Sequence, residues 1–225
     1  MKVVGFIPYW LKYHNIHSHE ESGEMKKIGG RYIINYSIEL MNNSKYIDET
    51  IVFSSSPDVL EYVDNDLQYS YWKRHEYLDS EDITIDEIIS EFLKNTDADV
   101  IVLLHPNSPF LSAKSMDDCI EKVVSGEYDS SFTAYEFKKF AWYGGSALNY
   151  SLDKPTPKLS DVEPVYIEQA SLYVFTREAF EKKNKRIGDN PYICSINHFE
   201  GHEINSHEDY DIAELMVNAG LYNGV

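Results

Sequence analysis

The segment "EGHEINSHEDYDIAEL", residues 200–215, packs six carboxylates and two histidines into sixteen positions. Two chemistries fit that mixture: a divalent-cation site, or the acidic first turn of a helix. Spacing separates them. Ser206 and Asp209 stand at capping-box distance, and Ile212, Leu215 and Met216 follow at helical intervals. Glu208, Asp209 and Asp211 therefore read as helix-start residues, whose charge suits the positive end of a helix dipole. Glu203 and Asn205 precede that helix on an extended stretch. Alternate residues of an extended chain point the same way, so both side chains can face one ion. Mg²⁺ takes one or two carboxylates and fills its shell with waters and substrate phosphates. His202 and His207 offer a transition-metal alternative, weakened by the Glu and Asn between them.

A second candidate is "LLHPNSPF", residues 103–110. Two prolines bracket Asn-Ser where a buried strand exits, building a stiff turn that presents His105, Asn107 and Ser108; the plainer alternative is a well-capped turn. A third is "YIEQ", where Tyr166, Glu168 and Gln169 stand at the start of a strand. A fourth is the segment after "IPYW", with Lys12, His14, His17, His19, Lys26 and Lys27. It is either a phosphate-binding loop or a solvated polar one; its length favours function or disorder.

The elements that must position these residues are legible as alternation. Strands are expected at 2–7, 49–56, 100–104, 128–137, 170–175 and 192–199. Helices are expected at 31–43, 57–63, 84–95, from Ser115, at 176–183 and from Ser206. Thr84 and Glu87 form a capping box, and the apolar run Val100 to Leu104 marks a central strand covered on both faces. The pattern predicts an α/β fold: an open, mostly parallel twisted sheet flanked by helices. We expect one domain over 1–225, with an aromatic, proline-rich excursion at about 138–169 serving as a dimerisation arm. In such a sheet, ligands sit beyond the carboxyl ends of the strands. No GxGxxG and no GxxxxGK[ST] is present, so dinucleotide and P-loop signatures are absent.

Composition narrows the function classes. The chain has 225 residues and a net charge of -18. A surface this negative repels phosphate backbones and argues against general nucleic-acid binding. No apolar run reaches the roughly 18–20 residues that span a bilayer, so no membrane role is expected. The opening "MKVVGFIPYW" is apolar too briefly for a signal peptide and reads as a first strand. Cys119 and Cys194 are far apart in sequence, without a CxxC partner, which excludes a cysteine zinc site. A cytoplasmic setting fits.

The motifs line up with a known family. The chain has "IPY" at 7–9, "IGGRYIINYSIE" at 28–39, "SKYIDETIVFSSS" at 44–56, "RHEYL" at 74–78 and "DVIVLLHPNSPFL" at 99–111. "YIEQASLYVF" at 166–175 and "EINSHEDYDIAE" at 203–214 complete the series. In order and spacing these resemble the "IPA", "LGGKPLIxYSIE", "SKYIDEVIVSTDS", "RPxEL", "DxIVLLQPTSPLR", "YxENGAIYIF" and "DIDTxxDFxIAE" of the CMP-sialic acid and CMP-Kdo synthetases. The resemblance covers nearly the whole chain and implies a Rossmann-like nucleotidyltransferase fold. It implies transfer of CMP from CTP to an acidic, ulosonic or sialic acid-like sugar, with release of pyrophosphate, for surface glycan synthesis.

Site roles follow from the same resemblance. Arg74 reads the cytosine. Pro8, Tyr9, Ser55, Lys26 and Lys27 join it around the nucleotide, with Lys12 in place of the family lysine. His105, Asn107, Ser108, Tyr166 and Gln169 contact the acceptor. Glu203 and Asn205 hold Mg²⁺ as the catalytic pair. A homodimer that exchanges the arm is implied as well. Departures stand out: Trp10, Ser55, Leu111 and Asn205 occupy positions where the family has Arg, Asp, Arg and Asp. A metal site with one charge fewer leaves a catalytically impaired nucleotide- or sugar-binding relative as one alternative, and a nucleotide-sugar glycosyltransferase of similar sheet topology is another. The latter class needs an Asp-x-Asp at a strand end, and "DND" (64–66) and "DYD" (209–211) follow no apolar run.

Overall fold

The computed structural model describes residues 1–10 and 27–221. Chain order runs β1 (Val3–Tyr9), β2 (Lys27–Ile28), β3 (Arg31–Tyr32), α1 (Ile33–Asn42), β4 (Glu49–Ser54), β5 (Ser70–Lys73) and α2 (Ile85–Leu93). It continues with β6 (Val100–Leu104), α3 (Ala113–Val124), β7 (Ser130–Phe137), β8 (Trp142–Tyr143) and β9 (Ser146–Ala147). Last come β10 (Val165–Thr176), α4 (Arg177–Lys183), β11 (Pro191–Ile196) and α5 (His207–Asn218). Seven strands form one open sheet in the order β11-β7-β10-β6-β1-β4-β5. All neighbours are parallel except β10, which runs antiparallel to both β6 and β7. The chain leaves β1 toward β4 and β5, then returns to β6 on its other side. Strand order thus reverses at β1, and the crevice of an open α/β sheet lies at such a reversal.

Alternation along the strands builds two cores. Val3 and Ile7 of β1, with Val52, Val102 and Leu104, face Ile34 and Ile38 of α1 and Met116 and Ile120 of α3. Val4 and Phe6, with Ile51, Phe53, Ile101 and Leu103, face Ile89 and Phe92 of α2 and Phe180 of α4. Phe6 stacks on Phe92 at 4.2 Å between centroids. Each such side chain contributes about 1.5–3 kcal/mol on burial. A third cluster pins α5 to the turn after β6: Phe110 and Ile204 pack with Tyr210 and Met216. No helix of the described residues is long and apolar enough to cross a membrane.

The open, mostly parallel sheet and its flanking helices agree with the sequence. Thr84 caps α2 in a complete capping box, and the Ser206 side chain accepts from the Asp209 N–H at the start of α5. Several boundaries differ, each for a physical reason. Residues 57–62 form a 3₁₀ turn rather than an α-helix. Ser70–Lys73, in a segment that reads as polar, is an edge strand with one neighbour and needs no apolar signature. Ser112, not Ser115, caps α3; the Ser115 hydroxyl is held by Glu200 at 2.6 Å. β10 begins at Val165, five residues before the apolar run, because its first part pairs with β7 while exposed. The excursion between β7 and β10 carries a small β8–β9 hairpin turning on Gly144 and Gly145, both at positive φ.

Candidate nucleotide site

At the carboxyl edge of β5 the chain turns inward at Arg74, which is 3% exposed. Its backbone N–H donates to the Ser54 carbonyl at the end of β4. Its Nε and Nη2 donate to one oxygen of Asp79, at 3.1 and 2.6 Å. The Ser55 hydroxyl donates to the other oxygen of Asp79. Burial lowers the guanidinium's affinity for its proton, and Asp79 works against that shift. Arg74 stays charged, since the ordinary arginine value is far above neutrality. Ser55 therefore acts on Arg74 through Asp79.

A groove of about 400 Å³ lies over this arginine. Pro8 and Trp10 after β1 line it, with Leu78, Ile83, Ile85 and Ile88 around the start of α2 and His105 to Asn107 after β6. Its size and mixed lining suit a small-molecule ligand. Tyr9, between Pro8 and Trp10, is 1% exposed and its ring belongs to the α1 and α3 core. β1 alternation turns the Tyr9 side chain away from the face that carries Phe6, so of the expected nucleotide residues Tyr9 places its ring in the core.

The turn 105–108 joins this groove to the acidic segment. The His105 N–H donates to the Ser171 carbonyl of β10 at 2.9 Å, and the Ser108 N–H donates to the His105 carbonyl. Burial, with the Arg186 charge adding to it, pushes the His105 imidazole down to about 4, so it is neutral at pH 7. Its Nε2 and the Ser108 and Ser171 hydroxyls are buried with no partner among the described residues. Unpaired buried polar atoms are the ones that a bound water or ligand would satisfy.

From the turn, the Asn107 side-chain amide donates to Asn205 Oδ1 at 2.8 Å, and the Asn107 carbonyl accepts from the Ile204 N–H. Asn205 Nδ2 donates to Glu203 Oε2 at 3.2 Å. Gly201 lets this segment lie close: a Cβ there would stand 2.6 Å from the Tyr135 ring. Glu203 Oε1 is buried and has no partner among the described residues. Such an oxygen fits a hard divalent cation, and Asn205 Oδ1 keeps a second lone pair for it. No cluster of three or more His, Cys, Asp or Glu residues able to hold a metal forms among the described residues. The donor set is thus one carboxylate and one amide. Asp209 is spent on the helix start: burial works upward on it, but hydrogen bonds from Ser206 and the Asn205 N–H outweigh that and hold it below its ordinary value. His202 meets the Asp209 carbonyl and stacks on Phe110.

The structure gathers Pro8, Arg74, His105 and Asn107 around one groove and brings Glu203 and Asn205 to it through Asn107. Gln169 is buried on β10, and its carbonyl accepts from Thr133. Tyr166 is exposed on the outer part of β10, its hydroxyl toward Glu136 at 3.4 Å. Lys27 is exposed on β2, with its ammonium over the Tyr32 ring. Gly29, at positive φ beside it, donates its N–H to Glu214 of α5. Lys12, His14, His17, His19 and Lys26 lie outside the described residues. Neither Asp-x-Asp triplet ends a buried strand: Asp64–Asp66 follows the 3₁₀ turn, and Asp209–Asp211 lies within α5. Sequence reading missed Asp79, whose role emerges only when Arg74 and Ser55 converge on it. It also missed Arg186, in the "KNKRIGDN" segment before β11.

Residues 24–190 match a protein-family model described as cytidylyltransferase. The fold is similar to that of a CMP:2-keto-3-deoxy-manno-octonic acid synthetase solved in complex with CTP. That pair is 14% identical, covers 97% of this chain and 100% of the other, and has a TM-score of 0.66. It is also similar to the 4-diphosphocytidyl-2C-methyl-D-erythritol synthase of Anaerococcus prevotii DSM 20548, at 17% identity, 96% coverage of both chains and a TM-score of 0.60. A second 4-diphosphocytidyl-2C-methyl-D-erythritol synthase structure matches at 12% identity, over 96% of this chain and 99% of the other, with a TM-score of 0.60. No curated protein matches the chain by sequence.

Proposed function

The chain belongs to the cytidylyltransferase family, and from that premise we propose that it transfers CMP from CTP to a hydroxyl of an acidic sugar. The acceptor oxygen attacks the α-phosphorus, and pyrophosphate leaves. The observation that carries this reading is the continuity of the edge. Arg74 and residues 105–107 line one groove, and Asn107 hydrogen-bonds the residue that orients Glu203.

Each residue then has a task. Arg74, fixed by Asp79, keeps Nη1 free of partners among the described residues and presents it to the base. Ile85 and Ile88 cover the apolar side of the nucleoside. Asn107 aligns Asn205, and Asn205 aligns Glu203. Glu203 and Asn205 are the residues that would hold Mg²⁺. A cation held there would supply charge neutralisation for phosphate oxygens that otherwise repel an incoming nucleophile. The excursion after β7 exposes Trp142 at 55%, Tyr143 at 80% and Leu152 at 64%, an apolar surface suited to a second copy. The protein works as a homodimer in the cytoplasm and supplies surface-glycan synthesis.

The second reading is a relative that binds nucleotide without transferring it. It is favoured by the neutral amide at 205, which leaves the metal pair with a single negative charge. Thermal shift with CTP, UTP and ATP, each with Mg²⁺, tests the nucleotide assignment. Stabilisation grows with ligand concentration over its dissociation constant. A rise in melting temperature selective for CTP is the expected result; equal or no response to all three contradicts it.

A further inference from the structure

Across His105 from the nucleotide groove stands a second polar cluster that the transfer reading does not use. Arg186 Nη2 donates to the Tyr173 hydroxyl at 3.1 Å and stands 3.5 Å from Glu168 Oε1. The Tyr173 hydroxyl donates to the same Glu168 oxygen. The guanidinium lies 4.0 Å over the Tyr173 ring centroid, which fixes its plane. The Tyr173 ring in turn meets His105 edge-on at 6.3 Å. Arg186 Nε and Nη1 have no hydrogen bond among the described residues. Arg186 and Tyr173 are therefore held, and spare donors remain.

Glu168 is the loose member of the cluster. Its side chain is 44% exposed against 23% for Arg186, and it precedes the register break in β10 between Glu168 and Tyr173. A half-exposed carboxylate at 3.5 Å from its guanidinium partner is a weak ion pair. Moving to water it gives up this pair and the Tyr173 hydrogen bond, and exchanges them for solvent without a desolvation penalty. What it vacates is a guanidinium and a phenol hydroxyl converging on one carboxylate oxygen, next to the turn where the acceptor meets the nucleotide.

We propose that Arg186 and the Tyr173 hydroxyl form the acceptor's carboxylate subsite, and that Glu168 occupies it as an internal stand-in until an acidic acceptor displaces it. The proposal rests on the transfer reading for the acceptor's presence at this edge. It deepens that reading by naming the residue that selects acids over neutral sugars. Arg186 makes acid affinity and Glu168 opposes it, so the two substitutions act in opposite directions, which a merely structural role does not produce.

The test is calorimetric titration of 2-keto-3-deoxy sugar acids and their methyl esters into wild type, Arg186→Gln, Arg186→Lys and Glu168→Ala. CTP is titrated separately into each. A charge-assisted hydrogen bond to a carboxylate sets the scale: Arg186→Gln weakens the acid about ten- to a hundred-fold and leaves the ester unchanged. Arg186→Lys recovers part of the loss, and Glu168→Ala tightens the acid. CTP affinity is the same in all four. Acid affinity unchanged in Arg186→Gln, or acids and esters bound equally by wild type, overturns the subsite. Failure of CTP to bind wild type counts against the transfer reading instead, while the acid series still decides the subsite.

Discussion

The two ends of the groove are built differently. At the base end, Arg74 is buried and both oxygens of its Asp79 partner are engaged, one by the guanidinium and one by Ser55. At the other end, reached through Asn107, Asn205 is exposed, Glu203 keeps one buried oxygen without a described partner, and the link between them is a 3.2 Å amide contact. The first end is fixed before any ligand arrives, with Nη1 of Arg74 the donor left over among the described residues. The second is left short of one positive group. A recognition element gains from rigidity, because side-chain entropy is already spent. A metal–phosphate element gains from an unmet carboxylate, since a cation bound there stabilises the charge that develops in the transition state.

Breaking the base end has the largest expected effect. Arg74→Ala leaves the Asp79 carboxylate facing a buried void, and removal of one partner of a buried pair costs ~3 kcal/mol or more. Urea denaturation should show that loss, together with loss of CTP-dependent stabilisation. A variant as stable as wild type means the pair contributes nothing to the fold.

The joint between the two ends carries a pH signature. His105 has a folded value of about 4, below its ordinary 6.5. As pH falls, the unfolded chain takes up this proton first. The linked stability is complete above about pH 6.5 and is lost between there and about pH 4, amounting to at most ~3 kcal/mol. His105→Gln should flatten that part of the stability–pH curve; an identical curve for the variant removes His105 from the account.

The second end is sharpened by Asn205→Asp, the smallest of the stability effects. The change removes the amide donor to Glu203 and sets two carboxylates together, but the residue is exposed, so without the cation the loss of unfolding free energy is about 1 kcal/mol. The added charge should tighten Mg²⁺ in the presence of CTP, measured as a steeper rise of melting temperature with Mg²⁺ concentration. No change in that slope means residue 205 does not face the ion.

Legibility in the sequence followed the same division. Elements with a local cause were readable: the Thr84–Glu87 box, the Val100–Leu104 run and the Ser206 cap each act within a few residues. Elements whose cause is distant were not. The edge strand Ser70–Lys73 exists because β4 pairs with it. The first part of β10 exists because β7 does. Tyr9 sits between two residues that line the groove, yet strand alternation turns it into the core. Of the candidate site, Arg74, His105, Asn107, Glu203 and Asn205 are named from motif order, while Asp79 and Arg186, which the structure sets beside Arg74 and Tyr173, cannot be. Their roles arise from contacts with Ser55 and Tyr173, residues 24 and 13 positions away. Lys12 and Lys26, named with them for the triphosphate, fall outside the described residues.

The central claim is that Glu203 serves the reaction and not the fold. Pyrophosphate release from CTP, Mg²⁺ and a 2-keto-3-deoxy sugar acid should be followed for wild type and Glu203→Ala, with melting curves recorded on the same samples. The account predicts a turnover loss of ~10²-fold or more at a nearly unchanged melting temperature, because Oε1 holds no described partner and Oε2 gives up only the 3.2 Å contact from the Asn205 amide. Turnover by Glu203→Ala at the wild-type rate would contradict it.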